Sequence, residues 1–396
     1  MTAFIPGVEP PRAAPDGFAL FALGFRPFYL LAAVFAALSM PLWALQFSGV
    51  LGHAYLAGPV WHAHEMLFGF ALAVIVGFLF TAGRNWTNQP TPTGVPLAGL
   101  ALLWLAARVL VLTPFGVAAA LANVAFPLAA AAALARPFIR AGNRRNYFFI
   151  ALLVLMGVAA GVVHAAQLGW GSWPAGAGIA VGLDVVLFIV AVMAGRVVPM
   201  FTNNGVPGVQ ATRHARVEQL ALGSVLALLV VDALGIAGLP VVVIAGVGAL
   251  AHTVRWVLWQ PWRTRRVPLV WVLHLAYAWV PVHLGLRAAA GLGAVLPSLA
   301  THALTVGAIG GLVIGMMTRT ARGHTGRPLK ADRWEVACYV LVAAAAMVRV
   351  GLPLLAPGET VHAALASALL WSAGFGLYAL RYGPVLSRPR VDGRPG

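Results

Sequence analysis

WHAHEMLFGFALAVIVGFLFTA, Trp61 to Ala82, decides the fold. After Glu65 the run carries no charged residue, and it is long enough to cross a bilayer core as a helix of about 20 residues. Its first turn holds two histidines and a glutamate, which are costly inside a membrane. On either side the same kind of segment recurs. Approximate apolar cores fall at 24–47, 62–82, 95–112, 116–136, 147–169, 176–200, 217–236, 239–259, 267–292, 298–318, 333–355 and 360–381. In lipid, long helices are the only open-chain structures that satisfy every backbone group. The expected fold is therefore all-α, a polytopic membrane protein of about twelve transmembrane helices.

Composition agrees. The chain has 396 residues, 61% hydrophobic and 9% charged, against roughly 25% charged in an ordinary soluble protein. So few charges cannot cover a soluble fold of this size, which excludes a soluble globular domain and a disordered chain. The single cysteine, Cys338, leaves no disulfide and no thiolate cluster. Any metal must then be held by His, Met, carboxylate or backbone groups.

The net charge is +16, nearly all of it arginine. With the N-terminus inside and spans alternating, 23 of the 26 basic residues fall on one side, leaving Arg108, Arg287 and Arg349 on the other. By the positive-inside rule both termini are cytoplasmic and the span count is even. The charge is topogenic, so nucleic-acid binding is not expected. The expected organisation is a cytoplasmic tail over 1–17, one transmembrane domain over 18–383 and a cytoplasmic tail over 384–396. The proline-rich start lacks the pattern of a cleaved signal. The segments Gly195–Asn204 and Thr318–Leu329 read as ordered cytoplasmic loops, and GHTGRP lacks the P-loop pattern.

Histidine is the informative residue. His62 and His64 point about 200° apart on a regular helix. They share one ion only if His62 is still in the loop; otherwise they serve two centres. Glu65 can accept a ring N–H and orient a ligand. His302 opens a later span at similar depth on the same face. Gly307, Gly310, Gly311 and Gly315 follow it and allow close helix packing or the approach of a flat cofactor. His252 and His274 lie at equal depth on adjacent antiparallel helices, the matching that bis-His haem ligation needs. Tyr277 shares the face of His274. His283 is out of phase with His274, and structure or function serve it equally. His53, His164, His214 and His362 read as solvated or interfacial. Arg108, Arg287 and Arg349 suit haem propionates, which guanidinium groups bind bidentately, or they are snorkelling helix ends. Asp184 reads as a proton relay or a hydrogen-bonded core group.

Six stretches together resemble the NnrS family: FALGFRPFYLLA (21–32), WHAHEMLFGF (61–70), GRVVPMFTNN (195–204), WVLHLAYAWVP (271–281), HALTVGAIGGLVIGMMTRTARGHTGRPL (302–329) and PRVDGRPG (389–396). They run in order over nearly the whole chain. The resemblance implies a twelve-helix inner-membrane protein of the bacterial type that binds haem, of b type, and copper. It also implies a role in nitric oxide and nitrosative stress responses and in denitrification. His62, His64, His274, His302 and His324 lie inside the matching stretches; His252 and His283 do not. Which histidines hold haem and which copper stays open. Nitric oxide, small and apolar, can reach a site through lipid, and an iron with an open position can bind it. Conversion of nitric oxide by a haem–copper oxidoreductase would need an electron donor such as a quinol. Two other readings compete: a metal-free secondary transporter, which also suits twelve helices, and a quinol-linked bis-His electron-transfer protein.

Overall fold

The structure, a computed structural model, describes residues 17–52, 54–56 and 58–394. The expected N-terminal tail up to residue 16, with Arg12, lies outside the described residues, as do His53 and residues 395–396. Among the described residues the chain is helical, without strands. Its helical segments are α1 Phe25–Phe47, α2 Gly58–Thr87, α3 Gly94–Leu110, α4 Gly116–Arg140, α5 Arg144–Leu168, α6 Ala175–Gly205, α7 Ala215–Ala233, α8 Leu239–Arg263, α9 Pro268–Gly291, α10 Pro297–His324, α11 Arg333–Leu355 and α12 Pro357–Ser387. Ten are long and apolar enough to cross a membrane; α3 is apolar but shorter, and α7 is more polar. Each of the twelve apolar cores in the sequence falls on one of these segments.

Neighbours in sequence are mostly neighbours in space, and α12 returns to pack against α1. The ring thus closes around α2, whose apolar window is 83% buried, the highest of any span. The other spans pack α2 on most of its sides, whereas the outer helices present one apolar face to protein and another to lipid. Leu102, Leu121, Leu226, Leu250 and Leu369 are exposed on the outside of the bundle, as lipid contact requires.

Three stretches widen into π-helix: Glu65–Ala71 in α2, Ala303–Gly310 in α10 and Met347–Gly351 in α11. Such bulges shift side-chain phase by an extra residue and are frequent at functional sites. At Gly69 the bulge meets α3. A Cβ there would stand 2.7 Å from Arg108 Nη1 and 2.8 Å from Phe35 Cε1, so only glycine lets that guanidinium cross.

Two expected loops are helical. Gly195–Asn204 continues α6 through Pro199, and Thr318–His324 is the last two turns of α10. Thr202 and Thr318 turn their hydroxyls back onto the carbonyls of Val198 and Ile314, which hides their polarity within the helix. The last helix runs to Ser387, beyond residue 383.

Candidate functional site

A cavity of about 370 Å³ lies between α1, α2, α6, α10, α11 and α12. All three π-helical stretches reach its wall, through Met66, Leu67, Phe70 and Ala71, through Thr305, Val306 and Ile309, and through Arg349. The lining is mostly apolar, with His62, His302, Ser298, Thr301 and Arg349 as its few polar side chains besides Thr305, Ser367 and the two tryptophans Trp43 and Trp371. A large apolar cavity with a few converging polar groups is the usual form of a cofactor site.

His62 and His302 face each other across it. Their ring centres are 6.4 Å apart and their planes lie 13° from parallel. A carbonyl can only accept, so His302 Nδ1–H donates to Ser298 O at 2.6 Å, and the lone pair sits on Nε2. His62 leans on Trp43, with ring centres 4.9 Å apart, and its Nδ1 is buried without a hydrogen-bond partner among the described residues. Arg349 Nη1 is likewise buried and unpartnered.

His64 points the other way, as the two-residue spacing requires. It is fully buried, and its Nδ1–H donates to Glu65 Oε1 at 2.8 Å. The same oxygen accepts from Arg108 Nη1 at 2.5 Å, and Arg108 Nη2 donates to Asn123 Oδ1. His164, expected from the sequence to be solvated or interfacial, is buried at 1% exposure, edge-on to His64 with ring centres 4.8 Å apart. Its Nδ1 meets Tyr55 OH at 3.0 Å. The clue in sequence was depth: His164 stands near the same end of its span as His64 does of its own. It was missed because spacing along one chain does not say which spans touch.

The other arginines are engaged elsewhere. Arg287 bonds Asp184 Oδ1 at 3.0 Å and Asp232 Oδ2 at 2.5 Å, giving Asp184 the partner that sequence did not reveal. These three and His283 line a second cavity of about 170 Å³, which shares Leu183 and Thr301 with the first. His283 Nδ1–H donates to Ala300 O at 2.7 Å. With Arg108 and Arg287 held by carboxylates, only Arg349 of the expected three lines the large cavity.

His252 and His274 are not paired as bis-axial ligands. His252 Nε2–H donates to Ala221 O at 3.0 Å, and its Nδ1 faces Tyr277 OH at 2.5 Å. Both nitrogens are therefore occupied. Tyr277 OH also accepts from Arg255, whose guanidinium holds Glu218. The residue expected beside a cofactor thus belongs to a buried polar network. Thr202 Oγ1–H donates to Val198 O, so His274 Nε2–H donates to Thr202 Oγ1 at 2.8 Å, and its Nδ1 has no partner among the described residues. His324 packs on Phe25, with ring centres 5.5 Å apart, away from all these groups.

A family model described as NnrS protein matches residues 19–390, nearly the whole chain. The chain belongs to the NnrS family. No curated protein matches it significantly. Family and helices together place this NnrS-family chain in a membrane. Among the described residues no three His, Cys, Asp or Glu side chains cluster as a metal site.

Proposed function

We propose that this chain is a haem- and copper-binding membrane protein that binds, and reduces or detoxifies, nitric oxide. The observation that carries the haem assignment is the His62–His302 pair across the large cavity. Their ring centres stand 6.4 Å apart on the cavity wall, so one group bound there could draw on both imidazoles. The bare Nε2 of His302 and the unpartnered Nδ1 of His62 supply the valence such ligation uses.

His62 and His302 would hold the iron, and Arg349, with its free Nη1, would bind a propionate. A bound haem supplies an iron that exchanges electrons and takes nitric oxide. The chain's own contribution is orientation and exclusion of water. Ser298 fixes the tautomer and direction of His302. The Nδ1 of His62 has no such anchor among the described residues. Phe70, Leu67, Ile309 and Trp371 keep the cavity apolar, favouring an uncharged diatomic over water. Electrons would come from outside the chain, from a quinol or another donor. With both termini read as cytoplasmic from the charge asymmetry, the cavity would lie toward the opposite face of the membrane.

The test is an optical titration of purified, detergent-solubilised protein. A Soret band that shifts on adding nitric oxide to the reduced protein is expected. Folded protein with no haem, made where haem is abundant, would refute this function and favour the transporter.

A further inference from the structure

We propose that Asp232, Asp184 and His283 form a proton path from the end of the bundle, through the cavity of about 170 Å³, to the large cavity, and that Arg287 positions its two carboxylates. The inference rests on the proposed function only for the use made of the protons. Reducing two nitric oxide molecules to nitrous oxide and water takes two electrons from the donor and two protons from solvent. Among the described residues the wall of the large cavity is mostly apolar and has no carboxylate to bring them.

The smaller cavity supplies the missing groups. Asp184 comes from α6, Asp232 from the last turn of α7 and Arg287 from the last turns of α9. Arg287 Nη1 donates to Asp184 Oδ1 at 3.0 Å, and Nη2 donates to Asp232 Oδ2 at 2.5 Å. One guanidinium balances one carboxylate, so two ionised carboxylates leave a negative charge in excess, which is costly within a membrane. The two carboxyl groups are also within hydrogen-bonding reach of each other. Ionised carboxylates only accept, so that contact is a hydrogen bond when one of them carries a proton. A hard metal cation would be repelled by Arg287 and wants a shell of about six oxygens.

The direction comes from burial. Asp232 and Arg287 are 16% and 18% exposed, whereas Asp184 is 2% and His283 5% exposed. Asp184 Oδ2 and His283 Nε2 are buried without partners among the described residues, and both residues line the smaller cavity. His283 Nδ1–H stays on Ala300 O, so Nε2 bears the lone pair and takes up and returns the proton. The cavity has room for several water molecules, along which a proton hops from Asp184 to His283. Leu183 and Thr301 belong to both cavities, and the Thr301 hydroxyl is the polar side chain on that shared wall. The other neighbours bring no competing charge. Towards α6, α5 presents Val163 and α2 presents Leu67 and Phe68, while α10 presents Leu304. His252 of α8 lies within electrostatic reach of His283, but both its ring nitrogens are bonded.

The experiment joins infrared spectroscopy of the purified protein in H2O and D2O to the rate of proton uptake as nitric oxide is consumed. The wild type should show the carbonyl stretch of a protonated carboxyl group, shifted in D2O. Asp184→Asn should lose that band, and Asp184→Glu should keep it at a displaced frequency. Asp184→Asn and His283→Gln should slow proton uptake about tenfold or more at wild-type haem content, and Asp184→Glu should restore it. The amides keep the hydrogen bonds to Arg287 and to Ala300, so the variants fold; a purely structural ion triad would leave the rate unmoved. An unchanged band in Asp184→Asn overturns the proposal, and so does a wild-type rate with the band lost. A wild type that holds no haem or consumes no nitric oxide would sink the proposed function and the delivery, while the band lost in Asp184→Asn would leave the proton-holding cluster standing.

Discussion

Arg108→Met removes the guanidinium that Glu65 faces in a fully buried setting. Glu65 is 1% exposed and Arg108 5%, and the carboxylate keeps only the His64 Nδ1–H once Arg108 is gone. Removing one partner of a buried pair costs about 3–5 kcal/mol, because the other charge is left uncompensated. Unfolding entropy of about 2.1 cal/mol/K per residue over 396 residues is about 0.8 kcal/mol/K. The expected drop in melting temperature is thus about 4–6 °C. Glu65→Gln leaves the mirror defect and should cost a similar amount. The double variant holds neither charge and should lose less than either single variant, so the coupling in the cycle should exceed about 3 kcal/mol. Thermal unfolding of all four proteins in one detergent at one scan rate is the assay, since membrane proteins unfold irreversibly and the midpoint is rate-dependent. A drop below 1 °C in the single variants, or a double variant as unstable as the sum, would show that this pair is not the buried ion pair described.

Arg287→Met strands Asp184 beside Asp232 and should lower stability by about 3 kcal/mol, read as a shifted thermal midpoint; Arg287→Met with Asp184→Asn and Asp232→Asn should regain most of it. His252→Ala should leave haem and copper content as in the wild type while lowering the midpoint, because both ring nitrogens serve Ala221 and Tyr277; loss of either metal would contradict that role. Gly69→Val should lower expression and the midpoint together, since its Cβ would displace Arg108, and normal behaviour would show that the bulge has room. Asp332 caps α11, and its carboxyl is held down to about 2, chiefly by Glu335, with the Trp334 and Glu335 N–H groups and Arg381 adding to it. A depressed folded value gives stability that is present above the unfolded value near 3.8 and lost as pH falls toward 2. The stability gap between the wild type and Asp332→Ala should therefore close across that window, which melting curves at several pH values would check.

The helices were legible because lipid imposes one rule on every span: about 20 apolar residues and no unsatisfied backbone. That rule located all twelve segments, α3 and α7 included, although those two are the shorter and the more polar. It could not see that Thr202 and Thr318 bond back into their helices, so polar segments there read as loops. At the site, helical phase left two arrangements open for His62 and His64, and depth set His302 level with both; the structure brings His302 to His62. Depth alone also matched His252 to His274, where the rings turn to other partners. Rotation about a helix axis is set by packing, and a single sequence does not state it. The same gap hid His164, whose neighbour is three spans and about a hundred residues away.

The most direct test of the central claim is haem per chain, measured by reduced pyridine haemochrome, in His302→Ala, His62→Ala and His274→Ala beside the wild type. The account predicts haem lost in His302→Ala, weakened in His62→Ala, and intact in His274→Ala. Full haem in His302→Ala with loss in His274→Ala would move the cofactor to the other end of the bundle and contradict the account.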